Sequence, residues 1–278
     1  MVPIRQAAVS GSWYPAHPDA LAREVDRHLA AAGEQPPGNP IAIIAPHAGL
    51  MYSGPVAAYA YNQLRGHDID VAVLVGPSHY VGFEGVAVYE RGEFETPFGP
   101  IPIAEHCAAA VAKGASLIHP HPTAHVREHS LEMQLPFLHR VLPNAQIVPL
   151  VMGLQRRETA YALSEAIAGA VRGLKAVLVA STDLSHYQSA LTAAKLDHEL
   201  IQHVLRFDPD GLMSLLEAFP EHACGGGPTV AVMRAAKILG AVDARVLKYG
   251  DSGDVSGDKD SVVGYLAAAF GTFPRADH

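Results

Sequence analysis

The stretch IAIIAPHAGLMYSG (residues 41–54) decides how the rest of the chain is interpreted. It begins as a continuous apolar run, which is typical of a strand covered on both faces of a sheet. His47 follows that run directly, before a helix begins. The same arrangement recurs in VAVLVGPSHYVG (71–82), where His79 follows the apolar run. Because ligands bind beyond the carboxyl ends of strands in open α/β sheets, both histidines are candidates for one site.

Further apolar runs predict a sheet built from βαβ units. Strands are predicted at 41–45, 71–75, 147–151, 176–180, 244–250 and 261–270. Helical patterns alternate with them, at 54–64, 105–114, 131–142, 158–171, 192–205 and 229–240. This alternation predicts an α/β fold with a mostly parallel central sheet and helices on both faces. We interpret 83–103 as a β-hairpin or an edge excursion, and 1–278 as a single domain.

The composition excludes several classes of protein. The chain has 278 residues, 49% of them hydrophobic, which suffices for a sizeable core. Its net charge of −8, without a basic run, argues against a nucleic-acid partner. It lacks an apolar run long enough to cross a membrane and the start of a signal peptide. The two cysteines, Cys107 and Cys224, are far apart in sequence, so we expect no disulfide and a cytoplasmic location.

The spacing of His47 and His79 fits one βαβ unit, with residues 54–64 as its crossover helix. If their strands are neighbours, about 4.8 Å apart, both imidazoles could bind one metal ion. Two unrelated loop histidines would explain the spacing equally well. A third apolar run is followed by Asp183 and His186. Asp183 could merely cap the next helix, an explanation that does not account for His186.

The stretch HACGGGPTVAVMRAAK (222–237) places Cys224 just before a predicted helix, with Pro228 in its first turn. The helix dipole there favours a thiolate, and thiolates bind zinc, copper or iron. The alternative is a small buried residue in a tight turn. Cys107, in the middle of another predicted helix, is interpreted as a packing residue.

A rival group of ligands lies in HPHPTAHVREHSLEMQLPF (119–137). On a helix, His125 and His129 would share one face and could bind a metal together, with Glu128 and Glu132 nearby. The order differs from H-E-x-x-H, and a Pro-Thr pair indicates that His125 precedes the helix. We therefore favour a supporting role, in which Glu128 and His129 point into the pocket from a loop–helix junction.

Together these segments resemble the Memo family, also called AmmeMemoRadiSam system protein B. The motifs that carry the resemblance span nearly the whole chain in the family's order: RQAAVSGSWYP, APHAGLMYSG, VGPSHY, ETPFG, EHSLEMQLPFL, STDLSHY, CGGGP and KYGDSGDVSGDKDSVVGYLA. The family is similar in fold to class III extradiol dioxygenases of the LigB type. The resemblance therefore implies a LigB-like fold. In those enzymes two histidines and a carboxylate hold non-haem iron.

The resemblance also implies a set of site residues. His47, His79 and Cys224 would be the ligands of one metal ion, with Fe(II) or Cu expected rather than Zn. Asp183 and His186 would line the same pocket, His186 as the acid–base residue. Because Cys224 replaces the carboxylate ligand of the ring-cleaving enzymes, their activity does not follow from the fold.

Three functions stay open at this point. The first is a metal-dependent redox enzyme that acts with oxygen on a small molecule or peptide. The second is a non-enzymatic module that binds a peptide or partner on a dioxygenase scaffold. Metal-assisted hydrolysis is the weakest, because nothing resembles a two-metal carboxylate cluster. The family's name implies radical-SAM and AMMECR1-type proteins as partners, and we expect neither nucleic acid nor a membrane.

Overall fold

The computed structural model describes residues 3–34 and 37–274. Its strands are β1 (Ile4–Arg5), β2 (Asn39–Ala45), β3 (Val71–Pro77), β4 (Val86–Val88), β5 (Glu93–Phe94), β6 (Ile101–Pro102), β7 (Ile118–Pro120), β8 (Gln146–Met152), β9 (Ala176–Ser181), β10 (His186–Gln188), β11 (Asp243–Asp251) and β12 (Val262–Thr272). Its helices are α1 (Pro18–Ala32), α2 (Leu50–Asn62), α3 (Glu105–Gly114), α4 (Pro122–Val126), α5 (Leu135–Val141), α6 (Arg157–Val171), α7 (Ala190–Leu205), α8 (Pro209–Ala218), α9 (Gly226–Ile238) and α10 (Gly253–Ser256). Two 3-10 helices cover Glu132–Gln134 and Pro220–His222.

The large sheet has the strand order β10-β12-β2-β9-β3-β8-β4-β7, and β11 pairs with β12. Its four central strands, β2, β9, β3 and β8, are mutually parallel. β12 and β4 join them antiparallel, one on each side. β11 and β12 are antiparallel because only a short connection with α10 separates them, whereas parallel strands need a crossover. The predicted α/β fold, a large sheet flanked by helices, is confirmed, with its parallel part at the centre.

The strands that precede His47 and His79 do not meet the condition of being neighbours. β9 lies between β2 and β3 and pairs with both of them. The helix α2 is the predicted crossover, but it carries the chain past one strand position. Three parallel strands therefore end at the same edge of the sheet, and the middle one, β9, brings Ser181 and Asp183 to His47.

The central strands are continuous apolar runs because both faces of the sheet are covered. Every residue of β3 is buried, and so are the last four residues of β2. The helix α9 packs against β9 and α6, and ten of its residues are buried. This placement fixes the chain just before α9, where Cys224 lies. Within the described ranges, none of the helices has the length and apolar character needed to span a membrane.

The segment 83–103 divides between two sheets. β4 joins the large sheet between β8 and β7, close to its edge. β5 and β6 form an antiparallel pair, and β1 adds to it in parallel. The interpretation as a hairpin or edge excursion is thus confirmed. The predicted helix at 131–142 begins instead as a 3-10 turn, and α5 follows with Pro136 in its first turn.

Candidate metal centre

Three side chains at the carboxyl edge of the parallel strands offer ligand atoms that lie close together. His47, His79 and Cys224 each contribute one such atom, and all three lie within 4.8 Å of one another. The distance from His47 Nε2 to Cys224 Sγ is 3.2 Å. A nitrogen ligand lies about 2.1 Å from a metal ion and a sulfur ligand about 2.3 Å from it. The two ligand atoms are then about 3.1 to 3.6 Å apart when the nitrogen–metal–sulfur angle lies between a right angle and the tetrahedral angle. The His47–Cys224 distance therefore fits two ligands of a single metal ion, and His79 offers its ligand atom within 4.8 Å of both.

Hydrogen bonds fix the tautomer of His47. The Ser181 hydroxyl at the end of β9 donates its only proton to the carbonyl of Ser130, at 2.6 Å. It must therefore accept the 2.9 Å hydrogen bond from His47 Nδ1, which leaves the Nε2 lone pair facing Cys224. Burial lowers the pKa of His47 to about 3, with a smaller contribution from His79. His47 is thus neutral at physiological pH, the form that binds a metal.

A buried carboxylate fixes the tautomer of His79 in the same way. Glu128 accepts hydrogen bonds from His79 Nδ1 at 2.8 Å and from the His79 backbone N–H at 2.6 Å. It also accepts the Ser130 N–H at 2.9 Å. Burial by itself would raise the pKa of Glu128, but the bonds from His79 outweigh it and lower the pKa to about 2. Glu128 is therefore ionised and leaves His79 Nε2 free to bind.

His129 forms part of the wall of the site. Its ring stacks on that of His79 with centroids 4.4 Å apart, and the ring of Trp13 lies 4.3 Å away on another side. Burial lowers the pKa of His129 to about 4. His79, Glu128 and His129 form a second group of ligand atoms within 4.8 Å. Because His79 already occupies the carboxylate of Glu128, a metal there would have to replace those hydrogen bonds.

The rival pair of His125 and His129 does not form a shared helix face. The helix α4 contains His125 but ends at Val126. The His125 ring is buried beside Tyr89 and Phe94, and its Nε2–H donates to a backbone carbonyl at 3.2 Å. The structure thus brings His129 to the site and leaves His125 in the core.

The turn that carries Cys224 lies directly against the end of β9. The Cys224 N–H donates to the carbonyl of Asp183 at 3.2 Å, and the Asp183 N–H donates to Cys224 Sγ at 3.3 Å. The Gly225 N–H donates to Thr182 Oγ1 at 3.0 Å. A Cβ on Gly225 would lie 2.5 Å from the Ser181 carbonyl oxygen, so only glycine permits this approach. The CGGGP motif therefore serves to bring the thiol onto the strand end.

The expected thiolate character of Cys224 does not hold without a metal. Part of the residue is exposed, but its thiol points inward against His47 and Asp183. Burial raises the pKa of Cys224 well above its ordinary value, and the nearby Asp183 raises it further. The helix α9 begins only at Gly226, so Cys224 lies outside its first turn, where the influence of the helix dipole falls off. Binding of a cation must therefore displace the thiol proton.

Asp183 and His186 lie beside these ligands in distinct roles. Asp183 Oδ1 accepts the backbone N–H of His47 at 2.7 Å; burial raises the pKa of Asp183, and this bond opposes the shift. Asp183 does not cap the next helix, because Ser189 caps α7. His186 Nδ1 lies 2.7 Å from the Leu184 carbonyl and must donate to it, so its Nε2 is free to accept a proton.

Sequence reasoning missed four residues that support the site: Trp13, Gln134, Gln155 and Ser181. Gln134 donates to Ser181 Oγ at 2.7 Å, on the oxygen that fixes His47. Gln155 bridges the Cys224 turn, since its amide donates to the Cys224 carbonyl at 2.6 Å and accepts the Gly227 N–H at 2.7 Å. A glutamine within the apolar stretch LEMQLPFL was the available sequence signal for Gln134, which the structure buries fully.

The fold and the site define an α/β protein with two histidines and one cysteine gathered where its parallel strands end. The chain belongs to the family described as Memo-like protein, whose sequence model matches residues 5–269. It is 38% identical to a MEMO1 family protein of Methanothermobacter thermautotrophicus, over 94% of this chain and 98% of that protein. A MEMO1 family protein of Methanopyrus kandleri is 37% identical, over 96% and 98% of the two chains. One of Methanosarcina mazei is 38% identical, over 95% and 98%. The predicted family membership is confirmed.

Proposed function

We propose that this protein binds one metal ion, Fe(II) or Cu, through His47, His79 and Cys224. We further propose that it is a redox enzyme acting with oxygen on a small molecule or peptide. The supporting observation is the convergence of the three ligand atoms, with both imidazole tautomers set so that Nε2 carries a lone pair and no proton. Two imidazoles and a soft thiolate suit copper and Fe(II). The bound ion would supply the redox change and polarise an oxygen-containing group.

The chain's own residues would bind the substrate and move its protons. Cys224 loses its thiol proton when the metal binds. His186 Nε2, held in place through the Nδ1–H bond to Leu184, accepts a proton from the substrate and returns it to the product. Asp183 stays hydrogen-bonded to the His47 backbone and holds that ligand in position.

A cleft beside the site is suited to bind the substrate. It has a volume of about 600 Å³ and lies between residues 11–15 and the start of α2. Trp13, Met51 and Tyr52 line it, and Trp13 contacts His129 of the site wall. Apolar and aromatic walls of this kind favour a ligand with an apolar group.

The same cleft supports the second candidate function, a non-enzymatic module that binds a peptide. Met51, which lines the cleft, is half exposed and offers an apolar side chain for a bound peptide to contact. Radical-SAM and AMMECR1-type proteins are proposed as partners on the resemblance of the motifs alone. A metal-free protein that binds peptide with unchanged affinity in His47 and Cys224 variants would favour the module.

Metal reconstitution separates the two functions. The tag-free protein is loaded anaerobically with Fe(II), Cu(I) or Zn(II), and its metal content and oxygen uptake with candidate substrates are measured. We expect about one ion per chain, strongly reduced occupancy in His47→Ala and Cys224→Ala, and oxygen uptake only with Fe(II) or Cu. The matched controls are His28→Asn and Cys107→Ala, which change a buried histidine and a buried cysteine outside the site. Full metal content in both site variants would refute the proposed ligands.

A further inference from the structure

A buried ion pair ties the N-terminal segment (residues 5–14) to the loop that supports the metal ligands. Arg5 is 4% exposed and Glu132 is fully buried. The Arg5 guanidinium donates to the Glu132 carboxylate, to the carbonyl of His125 at 2.9 Å and to the carbonyl of Glu128. All three acceptors belong to one stretch, 125–132. A planar guanidinium fork suits this task, because it holds several acceptors in fixed directions.

Glu132 extends the same connection along the N-terminal segment. Its carboxylate accepts the Ala8 N–H at 2.8 Å, the Val9 N–H at 3.0 Å and the Tyr14 hydroxyl at 2.7 Å. With Arg5 as the fourth donor, every oxygen of this buried charge is satisfied. Removing one partner would leave the other buried without compensation, so the group acts as a unit. We call this group of Arg5, Glu132 and Tyr14 the N-terminal clamp.

The clamp reaches the site through the backbone of Glu128. Arg5 holds the Glu128 carbonyl, while the Glu128 carboxylate accepts two hydrogen bonds from His79. On the other side, the clamped segment places the Trp13 ring against His129, 4.3 Å between centroids. The Arg5 guanidinium therefore fixes both ends of the loop 125–132, which carries Glu128 and His129.

We propose that Arg5 and Glu132 are positioning residues that keep the Glu128 carboxylate on His79 and thereby set the affinity of the metal site. This inference rests on the proposed function, because it takes His79 as a metal ligand. Partners of a metal-binding histidine change metal affinity by about 10- to 100-fold when they are lost. The clamp acts one step further out, through the backbone that aims the carboxylate.

Two variants loosen the clamp without removing its volume. Glu132→Gln replaces one oxygen by an NH2 group, and since both oxygens accept hydrogen bonds, that group must face a donor. Arg5→Lys keeps the charge but lacks the fork, and it carries the test if Glu132→Gln does not fold. Arg140→Gln breaks an exposed bidentate pair with Asp26 and controls for lost charge. Asn62→Ala removes buried hydrogen bonds outside the site and controls for general destabilisation.

The first measurement uses the metal-free protein. The backbone N–H groups of His79 and Ser130 both donate to the Glu128 carboxylate, so their hydrogen exchange reports its position. We expect exchange of these two amides to accelerate about tenfold or more in the clamp variants, and not in the controls. Unchanged exchange at both amides in a folded clamp variant would overturn the positioning role.

The second measurement is the affinity for Fe(II) or Cu(I), determined by competition with a chelator. We expect the clamp variants to bind about tenfold more weakly than the two controls. Faster amide exchange with unchanged metal affinity would overturn the link from the clamp to the metal. If the unmodified protein binds no metal, the proposed function fails and this link fails with it, while the amide exchange still decides whether the clamp positions Glu128.

Discussion

Replacing Glu128 by glutamine tests how the structure holds His79. Glu128 accepts hydrogen bonds from the Nδ1–H and the backbone N–H of His79 and from the Ser130 N–H, and it is 2% exposed. Glutamine has nearly the same shape but lacks the charge, and its NH2 group must face at least one of these donors. Glu128→Gln should therefore weaken both the fold and the hold on His79.

The size of the effect follows from the pKa of Glu128, which the hydrogen bonds from His79 hold at about 2 instead of 4.5, against the opposing effect of burial. At about 1.4 kcal/mol per pKa unit, this corresponds to about 3 kcal/mol of stabilisation at neutral pH. Because the folded-state pKa lies below the unfolded value, the stabilisation is complete above about pH 5 and is lost as the pH falls towards 2. Glu128→Gln removes this stabilisation at neutral pH, and it also removes the pH dependence that the titration of Glu128 gives to the stability.

The assay is urea unfolding of the metal-free protein over a range of pH. We expect the unfolding free energy of Glu128→Gln to be about 3 kcal/mol lower than that of the unmodified protein at neutral pH. Near pH 3.5 this difference should narrow to about 2 kcal/mol. Metal affinity should fall by about 10- to 100-fold. Glu165→Gln, on an exposed position of α6, is the matched control and should change neither. A constant difference at all pH values would show that the charge of Glu128 does not stabilise the fold.

Three further predictions concern the other side of the site. Alkylation of Cys224 in the metal-free protein should speed up as the pH rises above neutral, because burial raises the pKa of the thiol. In the metal-loaded protein, alkylation should be blocked. Equal alkylation rates in both forms would show that Cys224 is not a metal ligand. Gly225→Ala should lose metal affinity by about tenfold or more, because the new Cβ would lie 2.5 Å from the Ser181 carbonyl oxygen. Gly169→Ala is the control and should bind metal normally, because no atom of the described residues lies within 4 Å of the added Cβ. His186→Gln should lower turnover by about 10²- to 10⁴-fold with the metal retained, and loss of the metal would instead make His186 a ligand.

The central strands and the ligand residues could be predicted from the sequence. Continuous apolar runs with a histidine at the end are a local pattern, and the carboxyl ends of parallel strands meet at one edge of the sheet. The order of the strands could not be predicted in this way, because a crossover helix fixes handedness but not whether it passes a strand. The position of β9 between β2 and β3 depends on packing far along the chain.

The protonation state of Cys224 and the N-terminal clamp also lay beyond the sequence. The dipole argument for Cys224 used only its place before α9, whereas its pKa depends on the burial of the thiol and on the charge of Asp183. Arg5 and Glu132 are widely separated in sequence, and no periodic pattern pairs them. The helices α1 and α8 are absent from the predicted set, although each has a proline in its first turn as a start signal.

X-ray absorption spectroscopy of the metal-loaded protein tests the proposed ligands most directly. The spectrum counts sulfur and nitrogen neighbours of the ion without needing a substrate or an activity. We predict one sulfur at about 2.3 Å, from Cys224, and two imidazole nitrogens at about 2.0 Å, from His47 and His79. The sulfur should disappear in Cys224→Ala and persist in Cys107→Ala. A shell of nitrogen and oxygen alone in the unmodified protein would contradict the proposed metal centre.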